Sequence, residues 1–167
     1  NKLMVFLMND WYWGRAKIGD YVVVSSYIYA NKKGKYKATP VFMLAKDGEI
    51  LTGDASKYMK YEEKDHYKDS YTKRHVARTL IYDYNDEDKG MHYRITYKKG
   101  DEDVEKHNMN DIVGKPLAFM LHLFGFRGSY HRMSGVAQLE KIENGVVVEK
   151  IEAPAMWEQM CFKPDRI

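Results

Sequence analysis

The amino-acid sequence predicts an all-β domain, built as an antiparallel barrel or sandwich of roughly eight to ten strands. Tyrosine supplies 14 of the 167 residues, and Tyr, Val and Ile favour the pleated surface of a sheet. Short runs of alternating apolar and polar residues are separated by turn-forming residues at close spacing. Long helical patterns do not alternate with these runs, which disfavours a parallel α/β fold. A chain of this length is expected to form a single domain over residues 1–167.

The first predicted hairpin joins a strand over residues 11–16 to a strand over residues 20–30. On the first strand, Trp11, Trp13 and Arg15 share one face, because side chains alternate along a strand. Both faces of the second strand are largely apolar. We therefore expect this hairpin to be covered on both sides, and the pattern leaves open which side faces the core.

The next region, residues 36–53, predicts a strand, a turn and a second strand. The dipeptide Asp47-Gly48 strongly favours a two-residue hairpin loop. Pro40 has no N–H to donate to a neighbouring strand, so it predicts an edge position or a bulge.

Residues 57–85 carry many charges of both signs and predict long solvated hairpin strands, with a short helical turn as the alternative. Residues 90–99 alternate apolar and polar side chains, which is typical of a half-exposed strand. The Lys-Gly-Asp sequence at residues 99–101 predicts a turn after that strand.

The helix candidate covers residues 114–126, where apolar residues recur at helical spacing between Pro116 and Gly125. An apolar strand is the competing interpretation. Residues 129–162 then predict a final hairpin around Asn144-Gly145. The strand that carries Trp157 is expected to pack beside the first strand and help to close a barrel.

The charge balance argues against nucleic acid as a partner. The formal net charge is only +3, from 27 basic and 24 acidic residues. Basic and aromatic residues do interleave between residues 57 and 78, a pattern found in proteins that bind single strands. Acidic residues in the same segment cancel much of that field, so a solvated hairpin is the favoured interpretation.

Cysteine usage and apolar runs exclude other classes. Cys161 is the single cysteine, so no intramolecular disulfide can form. The apolar run at residues 116–126 is too short to cross a bilayer, so no transmembrane segment is predicted. Neither observation assigns a compartment.

The sequence predicts no metal site and no cofactor. Its six histidines do not pair at metal-ligand spacing, and one cysteine cannot build a structural zinc site. Glycine-rich phosphate loops and nucleophile elbows are also missing from the sequence.

Asp10 is the candidate proton donor, because a carboxyl group held against large rings can have its pKa raised by desolvation. The alternative is an aspartate at a strand end that caps a turn. Arg15 has two interpretations as well, either stacking on an aromatic ring or lining a cavity. Core packing is the simplest role for Trp157.

Four strings in this order resemble one protein family: WYWGRAKIGDYVVVSSYIYA, TPVFMLAKDGEI, GSYHRMSGVAQLE and APAMWEQMCF. They are similar to the second half of the AttH-like, hydroxyneurosporene synthase (carotenoid 1,2-hydratase) family. The similarity runs from about residue 10 to residue 162 and is weakest between about residues 55 and 115.

The resemblance implies two lipocalin-like (calycin-type) β-barrel domains, of which this chain is the second. The implied partners are an upstream lipocalin-like domain of the same protein and an apolar small molecule. Members of the family include hydratases of acyclic carotenoids and enzymes that cyclise polyenes. The implied function is therefore binding of a polyene or isoprenoid-like ligand within a hydratase-like protein, with enzymatic activity of this chain left open.

Aromatic faces stabilise a carbocation, which would form when an alkene is protonated. The expected ligand-binding residues are accordingly Trp11, Trp13, Arg15, Tyr27, Tyr29 and Trp157, with Asp10 as the acid. The alternative is a domain without catalysis, which binds a lipid or pigment or braces its partner domain. An exposed apolar patch would favour that alternative.

Overall fold

The computed structural model describes residues 7–112, 116, 119, 123 and 128–162. The strands in this part of the chain are β1 (Met8–Ile18), β2 (Tyr21–Ala30), β3 (Ala38–Lys46), β4 (Glu49–Ile50), β5 (Met59–Lys68), β6 (His75–Asp86), β7 (Met91–Asn108), β8 (Ser129–Glu143) and β9 (Val146–Cys161). Two four-residue helices are described, α1 (Ala55–Tyr58) and α2 (Met109–Ile112).

All nine strands belong to one antiparallel sheet in the order β4-β3-β2-β1-β9-β8-β7-β6-β5. Strands that follow each other along the chain are neighbours in the sheet, and β1 also pairs with β9. The sheet curls until β3, which lies next to the two-residue edge strand β4, comes into contact with the other edge strand, β5. There α1 packs against β3 and β6. The predicted antiparallel lipocalin-like barrel is therefore confirmed, with an opening between β3 and β5 that has no backbone ladder.

Two hairpin loops have the geometry that their dipeptides predict. Asp47 and Gly48 have φ values of 52° and 83°, and Asn144 and Gly145 have 50° and 78°. Two consecutive residues with positive φ define the turn whose twist matches that of the flanking strands.

Pro40 occupies the edge position that the sequence predicts. It pairs with Tyr27 of β2 on one side. On the other side β4 reaches only Ala45 and Lys46. Pro40 therefore faces the opening of the barrel. No strand pairs with it on that side, so the missing N–H leaves no carbonyl of a neighbouring strand without a donor.

The predicted turn at residues 99–101 is wrong. β7 runs without interruption from Met91 to Asn108 and pairs with β8 along its length. The pairing shifts register between Lys99 and Asp103. Because β8 continues on both sides of this point, the Lys-Gly-Asp sequence forms a β-bulge in the ladder instead of reversing the chain.

Most of the predicted helix over residues 114–126 lies outside the described residues. Three of its members, Pro116, Phe119 and Leu123, are described as helical with exposed side chains. Within the described ranges, no helix combines the length and the apolar character needed to cross a membrane.

The barrel is filled largely by aromatic rings. Fully buried ones include Tyr12, Tyr82, Tyr97 and Trp157. Aromatic side chains each bury about 150–250 Å² and so dominate the energetics of such a core. Gly14 makes room for them, because a Cβ at Gly14 would lie 2.9 Å from Cζ of Tyr97.

Candidate functional site

The side-chain alternation along β1 decides which of the predicted site residues face the interior. Asp10 and Tyr12 point inward and are buried. Trp13 and Arg15 point outward and are exposed, and Trp11 on the same face is half-buried. A ligand enclosed by the barrel would therefore contact Asp10 rather than the Trp11, Trp13 and Arg15 face.

Tyr27 and Tyr29 lie at the opening of the barrel together with Tyr61 of β5. The rings of Tyr27 and Tyr61 stack with centroids 4.1 Å apart and an interplanar angle of 15°. Tyr29 meets Tyr27 edge-on at 4.8 Å. These three half-buried residues, the tyrosine mouth, close by side-chain contact a gap that the backbone leaves open.

A continuous series of rings leads from the tyrosine mouth into the barrel. The centroid of Tyr61 is 4.9 Å from that of Tyr82, and Tyr82 is 6.0 Å from Tyr97. Trp157 follows at 5.2 Å from Tyr97. The hydroxyl of Ser25 donates a hydrogen bond of 3.0 Å to the hydroxyl of Tyr97. The interior thus combines aromatic faces with a few hydroxyl groups.

The interior tyrosines remain protonated far above neutral pH. Burial raises the pKa of Tyr61 and Tyr82 well above 10, and neighbouring tyrosines and the carboxylate of Glu63 add to the effect. Burial also raises the pKa of Tyr97 to about 12, although the hydrogen bond with Ser25 opposes it. These hydroxyls are therefore neutral hydrogen-bond donors under ordinary conditions.

One polar group in this interior has unused hydrogen-bonding capacity. Nε1 of Trp157 is buried and makes no hydrogen bond with a described residue. A buried donor without a partner costs about 1–3 kcal/mol. An oxygen atom on a bound molecule would recover that free energy.

Asp10 lies beside the tyrosine mouth. It is opposite Tyr29 on β2 and Cys161 on β9. Its Oδ2 accepts a 2.8 Å hydrogen bond from the side-chain amide of Asn9, which occupies a bulge in β1. Asp10 is therefore part of the inner wall, and the structure brings it together with Tyr29 but not with Trp13.

The outer surface of β1 carries an apolar patch. Trp13 is 43% exposed, Met156 51% and Val41 36%. The ring of Trp11 packs on Phe162 with centroids 4.9 Å apart. We call the residues Trp11, Trp13, Val41 and Met156 the outer apolar face, and Arg15 lies at its border as the cross-strand partner of Met156.

A surface groove of about 680 Å³ covers part of the basic and aromatic segment of β5. Its cations are largely paired with carboxylates. Nε of Arg94 is 2.7 Å from Oδ2 of Asp83, and Nζ of Lys64 is 3.3 Å from Oε2 of Glu62. The charge cancellation expected from the sequence is present in this groove.

Sequence reasoning did not single out Tyr61, Tyr82 and Tyr97. The alternation of tyrosines around residues 82 and 97 predicted the strands correctly. It could not show that these rings meet, because the meeting depends on register between strands far apart in the chain. Tyr61 was hidden in a segment whose charges suggested a solvated hairpin.

No known protein-family model matches this chain, and no curated protein sequence matches it. Solved structures do share its fold. CghA in complex with Sch210972 superposes with a TM-score of 0.61 at 11% identity, covering 96% of this chain and 43% of CghA. Kievitone hydratase from Nectria haematococca gives a TM-score of 0.55 at 6% identity, covering 94% of this chain and 40% of that protein. The chain thus spans about two fifths of the length of these proteins, and at such identities the likeness shows the fold.

Proposed function

We propose that this chain is a lipocalin-like domain that binds an apolar, polyene- or isoprenoid-like small molecule as part of a hydratase-like protein. The observation that carries the proposal is the tyrosine mouth, which leads into an aromatic interior where the indole N–H of Trp157 makes no hydrogen bond with a described residue. Binding sites for small molecules are mostly apolar with a few placed polar groups. The fold shared with kievitone hydratase supports the assignment to hydratase-like proteins.

The ligand would enter by parting the stacked rings of Tyr27 and Tyr61. No backbone hydrogen bonds join β3 to β5, so only side-chain contacts would need to break. Inside the mouth, the rings of Tyr82, Tyr97 and Trp157 are packed together and buried, so they would have to move apart to admit an apolar chain beside them. Neutral hydroxyls at this position can orient a ligand oxygen without adding a charge to an apolar site.

Asp10 is the proposed acid for alkene hydration. In that reaction one alkene carbon takes a proton from the carboxyl group, and the neighbouring carbon becomes a carbocation. Water then attacks the cation and returns one proton to the carboxylate, which restores the acid. The faces of Tyr27 and Tyr29, on the same wall as Asp10, would stabilise the cation.

The test is a titration with an acyclic polyene, followed by quenching of tryptophan fluorescence. Tyr27→Leu removes one ring of the tyrosine mouth, and Trp13→Phe changes only the outer apolar face. Tyr27→Leu would remove one aromatic face from contact with the polyene, and a contact of about 0.5–1.5 kcal/mol corresponds to about two- to twelvefold weaker binding, while Trp13→Phe leaves the affinity unchanged.

The reverse pattern, with Trp13→Phe weakening and Tyr27→Leu neutral, would place the ligand on the outer apolar face. If the polyene does not quench the tryptophan fluorescence of the unchanged protein in a saturable way, binding by this chain is contradicted. Near-ultraviolet circular dichroism of each variant would show that its core is intact, so that loss of binding is not loss of folding.

A second candidate function is supported by the outer apolar face itself. We propose that this face docks on an upstream lipocalin-like domain of the same protein. The neighbours in fold are more than twice as long as this chain. Their additional length is enough for a second domain of similar size. Trp13 is 43% exposed in this chain, and docking would bury it.

The measurement is quenching of Trp13 by a soluble quencher, taken as the difference between the unchanged protein and Trp13→Phe. It would be made on this chain and on a longer polypeptide that includes the upstream domain. Protection of Trp13 in the longer polypeptide is the expected result. Equal quenching in both would contradict docking at this face without bearing on the ligand site at the tyrosine mouth.

A further inference from the structure

A second group of chemically active side chains lies away from the tyrosine mouth. Asp69 belongs to the loop between β5 and β6, Asp103 to β7 and His131 to β8. Each residue offers one nitrogen or oxygen atom that could bind a metal ion, and these three atoms lie within 4.8 Å of one another. Because the three residues are far apart in the sequence, their spacing gave no sign of a shared site.

A hydrogen-bonded layer holds this group in place. Oδ1 of Asp69 accepts hydrogen bonds from the backbone N–H groups of Tyr71 at 3.0 Å and Thr72 at 2.7 Å. The hydroxyl of Thr72 donates a third bond to the same oxygen at 3.0 Å. Oδ2 of Asp69 is left for other partners.

The same hydroxyl determines the protonation of His131. Oγ1 of Thr72 is 2.8 Å from Nε2 of His131. Since Thr72 gives its single proton to Asp69, Nε2 must be the donor in the bond to Oγ1. Nδ1 of the neutral ring therefore carries a lone pair.

That lone pair lies opposite a carboxylate. His131 is fully buried, and its Nδ1 has no hydrogen-bond partner among the described residues. Nδ1 is 3.9 Å from Oδ2 of Asp103. Two acceptors that face each other at this distance are stabilised by a positively charged group between them.

The ammonium group of Lys106 lies between the two carboxylates, so this position already holds a positive charge. Nζ of Lys106 is 2.7 Å from Oδ2 of Asp69 and 3.5 Å from Oδ2 of Asp103. Its side chain is 35% exposed, so the ammonium group can move into solvent. Lys99 pairs with Oδ1 of Asp103 at 3.1 Å, which leaves Oδ2 of that residue to the shared site.

The site has a route from solvent. A cavity of about 480 Å³ opens over it and is lined by Asp69, Asp103 and Lys106. His131 is fully buried and does not line the cavity. An ion that entered through the cavity would meet the two carboxylates first and the imidazole last.

We propose that Asp69, Asp103 and His131 form a binding site for a divalent transition-metal ion, which displaces the ammonium group of Lys106. The ligand atoms are Oδ2 of each aspartate and Nδ1 of the histidine. One imidazole and two carboxylates suit ions such as Zn²⁺, Co²⁺ and Mn²⁺. Thr72 acts as the outer-layer residue that orients both Asp69 and His131. This site is independent of the ligand proposed for the tyrosine mouth.

The first experiment is titration of the whole metal-free chain with Co²⁺, followed by visible absorption and calorimetry, with Zn²⁺ as competitor. One ion per chain is expected. Lys106→Met should bind more tightly because the internal competitor is gone. His131→Gln should lose the absorption bands, while His107→Gln, an exposed histidine paired with Glu105, should keep them.

Thr72→Val tests the outer layer, and a loss of about 10–100-fold in affinity is expected. Binding that is equal in the unchanged protein and His131→Gln would overturn the proposal, because the ion would then lie on the surface. Failure of both the unchanged protein and Lys106→Met to bind Co²⁺ would overturn it as well. If His131→Gln does not fold, the Co²⁺ affinity of Lys106→Met still tests whether the metal site exists.

Discussion

At the scale of single residues, Gly14 explains why a small residue follows the two tryptophans of β1. It lies opposite Trp157 on β9, and the ring of Tyr97 occupies the space that a side chain would fill. The sequence shows the glycine but not its neighbour. Tyr97 is 83 positions away, so only the folded barrel brings the two together.

Gly14→Ala should destabilise the protein by about 1–3 kcal/mol, as expected for overpacking of a filled core. The added Cβ would lie 2.9 Å from Cζ and 3.0 Å from the hydroxyl oxygen of Tyr97. Gly53→Ala is the matched control, because its nearest neighbour would be the Tyr84 hydroxyl at 3.5 Å, an ordinary contact. Urea unfolding of both variants measures the difference, and equal losses would refute the explanation.

His131 should make stability depend on pH in the mildly acidic range. Burial lowers its pKa below the usual 6.5. Between the lowered value and about 6.5, the unfolded chain binds a proton that the folded chain does not. The free energy of unfolding should therefore fall as pH drops below 6.5, by up to about 1.4 kcal/mol per pH unit.

The measurement is urea unfolding as a function of pH in the presence of a chelator, for the unchanged protein and for His131→Gln. The variant keeps a donor for Thr72 but cannot titrate, so its stability should vary less with pH. Other histidines contribute equally to both proteins and cancel in the comparison. Identical pH dependence would show that His131 is not the titrating group.

At the scale of elements, the two turns with paired positive φ values have similar local geometry but join different strands. The β8–β9 turn connects strands of 15 and 16 residues inside the sheet. The β3–β4 turn ends in a strand of two exposed residues at its edge. Strain placed in the two turns should therefore have different consequences.

Gly145→Ala should cost about 1–2 kcal/mol, because a residue with a Cβ is disfavoured at positive φ. Gly48→Ala introduces the same strain, and at both positions a Cβ would meet no atom within 4 Å. Release of β4 can relieve the strain at Gly48, so that variant should lose less stability. Calorimetric unfolding compares the two, and a larger loss at Gly48 would contradict the argument.

The two hairpins marked by Asp-Gly and Asn-Gly are predictable from the sequence, because those dipeptides determine a turn locally. The bulge at residues 99–103 was missed, since the same Lys-Gly-Asp letters serve a turn or a bulge according to whether the neighbouring strand continues. The sequence does not determine which face of β1 points inward, because Trp11 and Trp13 are as apolar as the residues that line the core.

At the scale of the whole molecule, the positions of the predicted site residues show that local sequence patterns do not determine which side chains point into the barrel. Tyr27, Tyr29, Asp10 and Trp157 were named from local patterns and do line the interior. Trp11, Trp13 and Arg15 were named for the same reasons and lie outside. Composition predicts an aromatic barrel, but the assignment of faces requires the register of strands at opposite ends of the chain.

The aromatic interior predicts cooperative unfolding in alkali. Tyr97 has a pKa raised to about 12, and Tyr61 and Tyr82 have values well above 10. An unfolded tyrosine ionises near pH 10, so these residues stabilise the fold below pH 10 and lose that contribution as pH rises above it. Tyrosinate absorbance should therefore rise in step with the loss of circular dichroism.

Tyr36→Phe is the control for that titration, since Tyr36 is 69% exposed and its removal should leave the cooperative step unchanged. A full set of ionised tyrosines in a protein with intact circular dichroism would show that the interior is open to water. That result would also remove the basis for treating Tyr61 as a neutral donor.

The pairing of β1 with β9 has a consequence for synthesis on the ribosome. Asp10 pairs with Cys161, so one edge of β1 has no partner until the ribosome has made the chain as far as Cys161. At about 5–20 residues per second this delay lasts about 8–30 s. During that time the tryptophans of β1 and an unpaired strand edge are available to other nascent chains. A chaperone that shields this first hairpin would therefore raise the yield of folded protein more than one acting on later segments.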